Sequence, residues 1–305
     1  MQRDGKGNNR PSMDFPKKDP ENGNNVVLTI DMNIQRFAEE ELAAGVKSYQ
    51  ADGGKVVVLS VKTGEILAMA SNPTFDPNNI STIDTNGMKN SVISDIYEPG
   101  STFKIITAAA ILEEKLEDKN SIISTDNLNE VKGLNITDVH KSSSMTFQQA
   151  VEQSSNVGFS KMSMMLGSER FYKYARDFGF GSYNGVELPG ENKGMLKRPI
   201  DFSSVSLPYM SIGYEVLINA MQISNAYATI ANNGMMMKSY IIKKETGADN
   251  NIIYESKPTL IRQVVSEKTA QTLTSLLAGV VERGTGTDAK IDGISIAGKT
   301  GTAQR

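Results

Sequence analysis

The chain has 305 residues, 39% hydrophobic and 22% charged, with a formal net charge of −3, no cysteine and a single histidine, His140. That composition can bury one large core or two ordinary ones and is not that of a disordered chain. It offers no basic footprint for nucleic acid, no disulfide or thiolate chemistry, and no basis for a His/Cys zinc site.

The first 25 residues are polar and rich in Pro, Gly and Asn, and read as a linker or the tail of a preceding domain. They do not form a signal peptide, and no apolar run approaches the roughly 18 residues of a membrane span. Order is expected from Val26 onward, in one domain over 26–305. "VVLTID" predicts a strand, and Asp31 caps a helix whose apolar face is Ile34, Phe37, Ala38, Leu42 and Val46. "KVVVLSVKTGEILAMAS" predicts a hairpin turning at Gly64, followed by a loop from Asn72 to Asn90.

After Pro99-Gly100, "STFKIITAAAIL" is apolar nearly all round, the pattern of a helix inside the protein. Thr146 and Gln149 form a capping box for a helix that breaks at Ser154-Ser155-Asn156. Helices are further expected over 157–166, 168–178, 218–232 and 266–283, and strands over 239–244, 259–265 and 291–299. The fifteen methionines, Met235–Met237 among them, read as core filler. A helix-rich middle between strand-rich ends predicts an α/β fold, one sheet assembled from both ends with a helical lobe inserted.

"GISIAGKT" (293–300) fits the phosphate-loop pattern, but β-branched residues alternate where the flexible loop belongs, and no helix can be read after Lys299. The lysine is expected on a strand. His140, inside the polar run "DVHKSSS", reads as a solvated surface residue.

The chemistry lies elsewhere. Ser101-Thr102-Phe103-Lys104 is the one Ser-x-x-Lys in the chain. On a helix, positions three apart share a face, so Lys104 can reach Ser101. A serine hydroxyl needs a base, and a neutral lysine is one. A solvated lysine is neutral in only about one molecule in a few thousand at pH 7, and bringing its pKa to ~7 costs roughly 4–5 kcal/mol. Burial in the apolar helix and a second cation can supply that, and Lys299 is the candidate cation. Ser101 also falls at a helix start, where the dipole favours an oxyanion.

Three motifs follow in order: Ser101-x-x-Lys104, Ser154-Ser155-Asn156 and Lys299-Thr300-Gly301. This is the set known for penicillin-binding proteins and class A β-lactamases. Lys62-Thr63-Gly64 precedes the nucleophile in a hairpin turn, and Ser182-Tyr183-Asn184 lies in a glycine-flanked loop, so neither substitutes. The stretches "LTIDMNIQRFAEEEL", "YEPGSTFKI", "SSNVGFSKM", "NAYATIANNG", "VVERGTGTDAK" and "AGKTGTAQ" make the chain resemble, over about 26–305, the transpeptidase domain of a class B (monofunctional) penicillin-binding protein of division or sporulation type.

The resemblance implies an antiparallel sheet covered by helices, with an inserted helical lobe, as in serine β-lactamases and D,D-transpeptidases. It implies a peptidoglycan D,D-transpeptidase, also acylated by β-lactams, at the extracytoplasmic face of the cytoplasmic membrane through an anchor outside this chain. No metal or organic cofactor is expected. Ser101 would attack the penultimate D-Ala carbonyl of a stem peptide, Lys104 would take its proton, and Ser154 would relay a proton to the leaving amine. Asn156 would orient Lys104 and bind the substrate amide. Lys299, Thr300 and Thr302 would hold the terminal carboxylate, with Ser155 and Gly301 also lining the substrate, and the N–H groups of Ser101 and Thr302 would form the oxyanion hole. Besides stem peptides and β-lactams, a membrane-embedded glycosyltransferase and divisome proteins are the implied partners.

One stretch departs from the pattern: "GYEVLINAMQ" stands where the family usually reads Gly-Tyr-Gly and then Thr-Pro. This puts the loop around Tyr214 in question and creates Glu215-x-x-x-Asn219, which mimics the deacylating motif of class A β-lactamases. Glu215 is expected to be an exposed bystander at a helix entrance. A β-lactam-sensing domain and a β-lactamase remain the alternatives. In the resembling family two strands and a helix follow the Lys-Thr-Gly strand, so the chain is expected to be a fragment, incomplete at its C-terminus, with Lys299 poorly held.

Overall fold

The computed structural model describes residues 2–3, 5–10, 22–79, 87–126 and 133–303. The chain divides into two compact units. The smaller joins Met1–Leu28 with Ile242–Ser256. In it β1 (Gln2–Arg3) pairs with β2 (Asn9–Arg10), and β9 (Ile242–Thr246) lies between β3 (Asn25–Leu28) and β10 (Ile252–Glu255). All these pairings are antiparallel, and β3 is the strand predicted at "VVLTID". The strand expected at 239–244 is shifted along to β9, and β10 went unread because "NIIYES" is too short to show a period.

The larger unit, Thr29–Ile241 with Lys257–Arg305, holds most of the chain. Its first layer is α1 (Met32–Ser48) on the hairpin of β4 (Gly54–Leu59) and β5 (Ile66–Asn72). Asp31 caps α1 as predicted, its carboxylate accepting from the Asn33 and Ile34 N–H groups. Ile34, Ala38 and Leu42 pack on Ala68 and Ala70, but Phe37, expected on the same face, is exposed. Gln35 binds the backbone of Met69 through both halves of its amide, covering that edge of β5. Gly64 makes the turn with φ +81, and a Cβ there would sit 2.3 Å from the Lys238 carbonyl oxygen.

The core of this unit is α3 (Lys104–Glu113), with every residue from Lys104 to Ile111 buried. A helix apolar all round needs neighbours on all sides. It finds them in α5 (Asn156–Leu166), α6 (Ser168–Asp177), α7 (Ser206–Ser211) and α9 (Glu267–Arg283). Phe103 meets Phe180 edge-on, with ring centroids 4.8 Å apart. The four-residue α2 (Ser91–Ser94) and α8 (Ala220–Ala231) complete the helical set, and α4 (Phe147–Glu152) has both hydrogen bonds of its predicted capping box. Two further antiparallel pairs are β6 (Ile122–Ser124) with β7 (Ser144–Thr146), and β8 (Met235–Met237) with β11 (Leu260–Gln263).

The α/β class with antiparallel pairing therefore holds, but the sheet is divided among short ladders. The strand expected over 291–299 does not form. Ile291 and Ile294 make one isolated bridge around a turn at 292–293, and the rest of the segment joins no ladder, because no described strand pairs with it. Among the described residues β4 pairs only with β5. A cleft of about 510 Å³ lined by Val57, Leu59, Ile223 and Tyr227 separates β4 from Ala297–Lys299.

Two glycines of opposite role test this packing. Gly213, φ +88, lies so close to Gly100 that a Cβ would stand 2.0 Å from its carbonyl oxygen, whereas Gly45 in α1 has nothing within 4 Å. In chemical-denaturation melts Gly213→Ala should cost about 3 kcal/mol or more, and Gly45→Ala should gain roughly 0.5–1 kcal/mol.

Candidate active site

Pro99 and Gly100 deliver the chain into a tight helical turn, Gly100–Phe103, that runs directly into α3. Ser101 is half-buried in that turn and Lys104 is the first residue of α3. The turn is held from behind: the Tyr227 hydroxyl donates to the Thr102 carbonyl at 3.0 Å, and the Gly100 N–H donates to the Gly213 carbonyl at 3.1 Å. Absent side chains bring the last segment alongside. A Cβ on Gly100 (φ +55) would lie 2.5 Å from the Thr302 carbonyl oxygen, and one on Gly301 would lie 2.6 Å from Thr102 Cγ2.

Lys104 is almost wholly buried. Its Nζ lies 2.7 Å from the Ser154 carbonyl, 2.7 Å from Asn156 Oδ1 and 3.1 Å from Ser154 Oγ. Burial holds its pKa well below the usual lysine value, the neighbouring Lys299 lowers it further, and Asp138 opposes them. Lys299 Nζ donates to Ser154 Oγ at 2.9 Å and to its neighbour's carbonyl, Thr300 O, at 2.9 Å. Burial pushes its own pKa down to about 8. Burial thus favours the free amine at Lys104, the deeper of the two, while Lys299 keeps its ammonium near neutral pH. Lys299, expected to be poorly held, is anchored by these two bonds.

Ser154 is where α4 breaks. Its φ of +59 turns the backbone so that carbonyl and hydroxyl both face Lys104. Ser155 caps α5, accepting from the Gly158 N–H at 2.9 Å and donating to Asp138 Oδ2 at 2.6 Å. Its hydroxyl, expected among the substrate contacts, is thereby committed within the fold. Thr300 meets Thr285 through their hydroxyls at 2.7 Å. The Ser101 hydroxyl has no hydrogen-bond partner among the described residues, Lys104 included. Catalytic hydrogen bonds often form only once substrate is bound.

A cleft of about 360 Å³ opens on this constellation, lined by Ser101, Ser154, Asn156 and Thr300–Thr302. His140 is exposed, as expected, but at the rim of this cleft, with Asp138, Tyr214 and Thr285 also in its wall. Asp138, Thr285 and Tyr227 are given no role by the sequence, since each acts through contacts across the fold; the hints were that Tyr227 falls in "NAYATIANNG" and Thr285 in "VVERGTGTDAK", two of the resembling stretches.

The questioned loop is well held. Tyr214 donates its N–H to the Tyr209 carbonyl at 3.0 Å and Glu215 donates its N–H to Glu98 Oε1 at 2.9 Å. Glu215 is not exposed but half-buried, with φ +56, and its carboxylate accepts from Lys197 at 2.6 Å and Ser206 at 2.7 Å. Burial disfavours its ionised form, but those two hydrogen bonds outweigh it and hold the pKa below the usual value. Nor does it mark the helix entrance, where Asn219 caps α8. Lys62-Thr63-Gly64 sits in the β4–β5 turn, and Asn184 of the second decoy binds Glu191 and Asn225.

Residues 54–305 match the penicillin binding protein transpeptidase domain family. Penicillin-binding protein PbpB of Mycolicibacterium smegmatis is 37% identical over 95% of this chain and 46% of its own length. A probable peptidoglycan D,D-transpeptidase PenA of Neisseria gonorrhoeae is 32% identical over 99% of this chain and 50% of its own. The chain thus spans about half the length of the curated relatives it matches. The crystal structure of penicillin binding protein 3 from Mycobacterium tuberculosis superposes with a TM-score of 0.89 at 34% identity, over 95% of this chain and 67% of that one. The same protein has been solved in complex with aztreonam and with ampicillin. With its buried lysine between two serine-bearing turns and a match across most of its length, the chain belongs to the transpeptidase domain family of the penicillin-binding proteins.

Proposed function

We propose that residues 26–305 form a serine-type peptidoglycan D,D-transpeptidase domain that cross-links stem peptides through an acyl-enzyme on Ser101. The observation that carries this reading is the buried Lys104 amine between Ser154 and Asn156, with the Lys299 ammonium on the far side of the Ser154 hydroxyl.

A neutral amine has two N–H bonds and one lone pair. The Ser154 carbonyl and Asn156 Oδ1, both pure acceptors at 2.7 Å, take the two N–H bonds. The lone pair then faces the serine hydroxyls: Ser154 in the resting site and, once substrate is bound, Ser101, three positions before Lys104 at the same helix start. Ser101 Oγ attacks the penultimate D-Ala carbonyl as its proton passes to Lys104. Collapse of the tetrahedral intermediate breaks the C–N bond, Ser154 gives its proton to the departing D-Ala amine, and Lys104 returns the proton to Ser154. The amine of a second strand then takes the acyl group by the reverse sequence.

Thr300 and Thr302 line the side of the cleft suited to the terminal carboxylate, with the Lys299 ammonium behind them on the Ser154 hydroxyl, and the close approach of Gly100 to Thr302 supports an oxyanion hole of Ser101 and Thr302 N–H groups. Asn156 also meets the substrate amide. β-Lactams acylate the same serine. Through N-terminal regions the protein joins a membrane-embedded glycosyltransferase and divisome proteins at the extracytoplasmic face of the cytoplasmic membrane. No helix of the described residues is long and apolar enough to cross a membrane.

Intact-mass spectrometry after incubation with penicillin should show one added equivalent, lost in Ser101→Ala and kept in Ser60→Ala. Label on Ser101→Ala would overturn the reading.

The two lysines predict a bell-shaped pH dependence. Acylation needs Lys104 neutral and Lys299 charged, so the rate should rise as the depressed pKa of Lys104 is passed and fall above about pH 8, where Lys299 loses its proton. A rate still climbing at pH 9.5, roughly where an ordinary lysine begins to titrate, would refute those roles.

Glu215, held as a carboxylate by Lys197 and Ser206, is no deacylating base in this reading. Glu215→Gln should leave the lifetime of the penicilloyl-enzyme unchanged, measured as decay of the mass adduct over hours. A trapped adduct in the variant against rapid hydrolysis in the wild type would favour a β-lactamase.

A further inference from the structure

The carboxylate of Asp138 reaches most of the turn that bears the motif serine and asparagine. Oδ2 accepts from the Ser155 hydroxyl at 2.6 Å. Oδ1 accepts from the Val157 N–H at 3.0 Å and also from the Asn156 N–H. These are the leading N–H groups of α5, donors that have no partner within the helix and carry the positive end of its dipole. The preceding carbonyl, Thr137 O, accepts from Asn156 Nδ2 at 2.9 Å. With both nitrogens of Asn156 tied to Thr137 and Asp138, its Oδ1 is left pointing at Lys104.

Charge adds a second observation. Among the described residues Asp138 is the one acidic residue in the wall of the Ser101 cleft. Facing the Lys104 amine are Ser154 and Asn156 from the motif turn, the Phe159 ring at 5.6 Å, Lys299 from the terminal segment and Asp138 from the 133–138 loop. Lys299 and Asp138 are the charged groups among them, and they act in opposite directions. A base that gives up its proton too easily is a poor acceptor for a serine proton, so an anion opposing burial keeps Lys104 useful.

We propose that Asp138 is a positioning residue for acyl transfer: its carboxylate locks the turn that carries Ser154 and Asn156, and its charge balances Lys299 across the buried amine of Lys104. The proposal rests on the acyl-transfer reading above, and deepens it.

The test compares Asp138→Asn, Asp138→Glu and Ser155→Ala in the full chain, with lysines 13C-labelled at Cε. The Lys104 resonance, assigned by its loss in Lys104→Arg, is followed against pH, and penicillin acylation rates are measured over the same range. Asp138→Asn should lower the Lys104 midpoint by about one unit and slow acylation roughly tenfold to a hundredfold. Ser155→Ala breaks one strand of the clamp but keeps the charge, so acylation should slow while the midpoint stays in place. A purely structural aspartate would slow the reaction without moving the midpoint, and a midpoint unchanged or raised in Asp138→Asn overturns the proposal. Should that variant not fold, Asp138→Glu decides. A native midpoint with slowed acylation supports the clamp, and a wild-type rate overturns it. The NMR titration needs no acylation, so a wild type that takes up no penicillin counts against the acyl-transfer reading alone.

Discussion

A lysine amine buried at the start of a helix is the constraint on which the rest of this structure depends. Burying an ammonium without compensation is among the costliest placements in a fold, and here the outcome is a depressed pKa rather than a paired charge. The nearest groups to Lys104 Nζ are a carbonyl, an amide oxygen and a hydroxyl, which suit a neutral amine. Among the described residues no carboxylate lies within hydrogen-bonding distance; Asp138 stands one residue removed, bound to Asn156. The apolar run of α3 is the other side of the same constraint, since desolvation is the largest cause of the shift.

Three segments far apart in the sequence have to converge on that amine, and the backbone does most of the joining. Gly100, Gly213 and Gly301 allow approaches that a single methyl group would block. At the far end, α9 acts as a clamp. The Thr285 N–H donates to the Glu152 carbonyl at 3.1 Å, its hydroxyl meets Thr300, and the Gly298 N–H donates to the Leu277 carbonyl at 3.1 Å. Glu152 is buried and ion-paired with Arg283 at the end of α9, which fixes the helix beside the turn that starts at Ser154. Lys299 is therefore positioned without the ladder a strand would provide.

Two of the unfavourable backbone conformations lie near the site. Ser154 and Glu215 both have positive φ, at +59 and +56, in a region side chains rarely occupy. Such residues cost of order 1–3 kcal/mol each and persist where surroundings over-determine them. For Ser154 the surroundings are two lysines. For Glu215 they are Lys197, Ser206 and Glu98, which hold a residue with a side chain where the family usually has glycine.

The sequence by itself determined the helices with strong periodicity or clear caps, such as α1 behind Asp31 and α4 behind Thr146, because capping and amphipathicity are local. It also singled out the residues proposed to carry chemistry, because Ser101 and Lys104 stand three apart at a helix start and few other residue types could serve. Only the tertiary structure decided which side chains support them. Asp138, Thr285 and Tyr227 have no local pattern that assigns them a role, although the last two fall in resembling stretches, and they gain meaning from partners across the fold. It also decided the state of 291–299, whose alternating pattern predicts a strand, whereas a strand exists only beside a partner that closes its hydrogen bonds. Phe37 and Glu215 were misplaced for a related reason: a periodic pattern gives the face of a helix but not its width, and a sequence shows a carboxylate but not the lysine that folds over it.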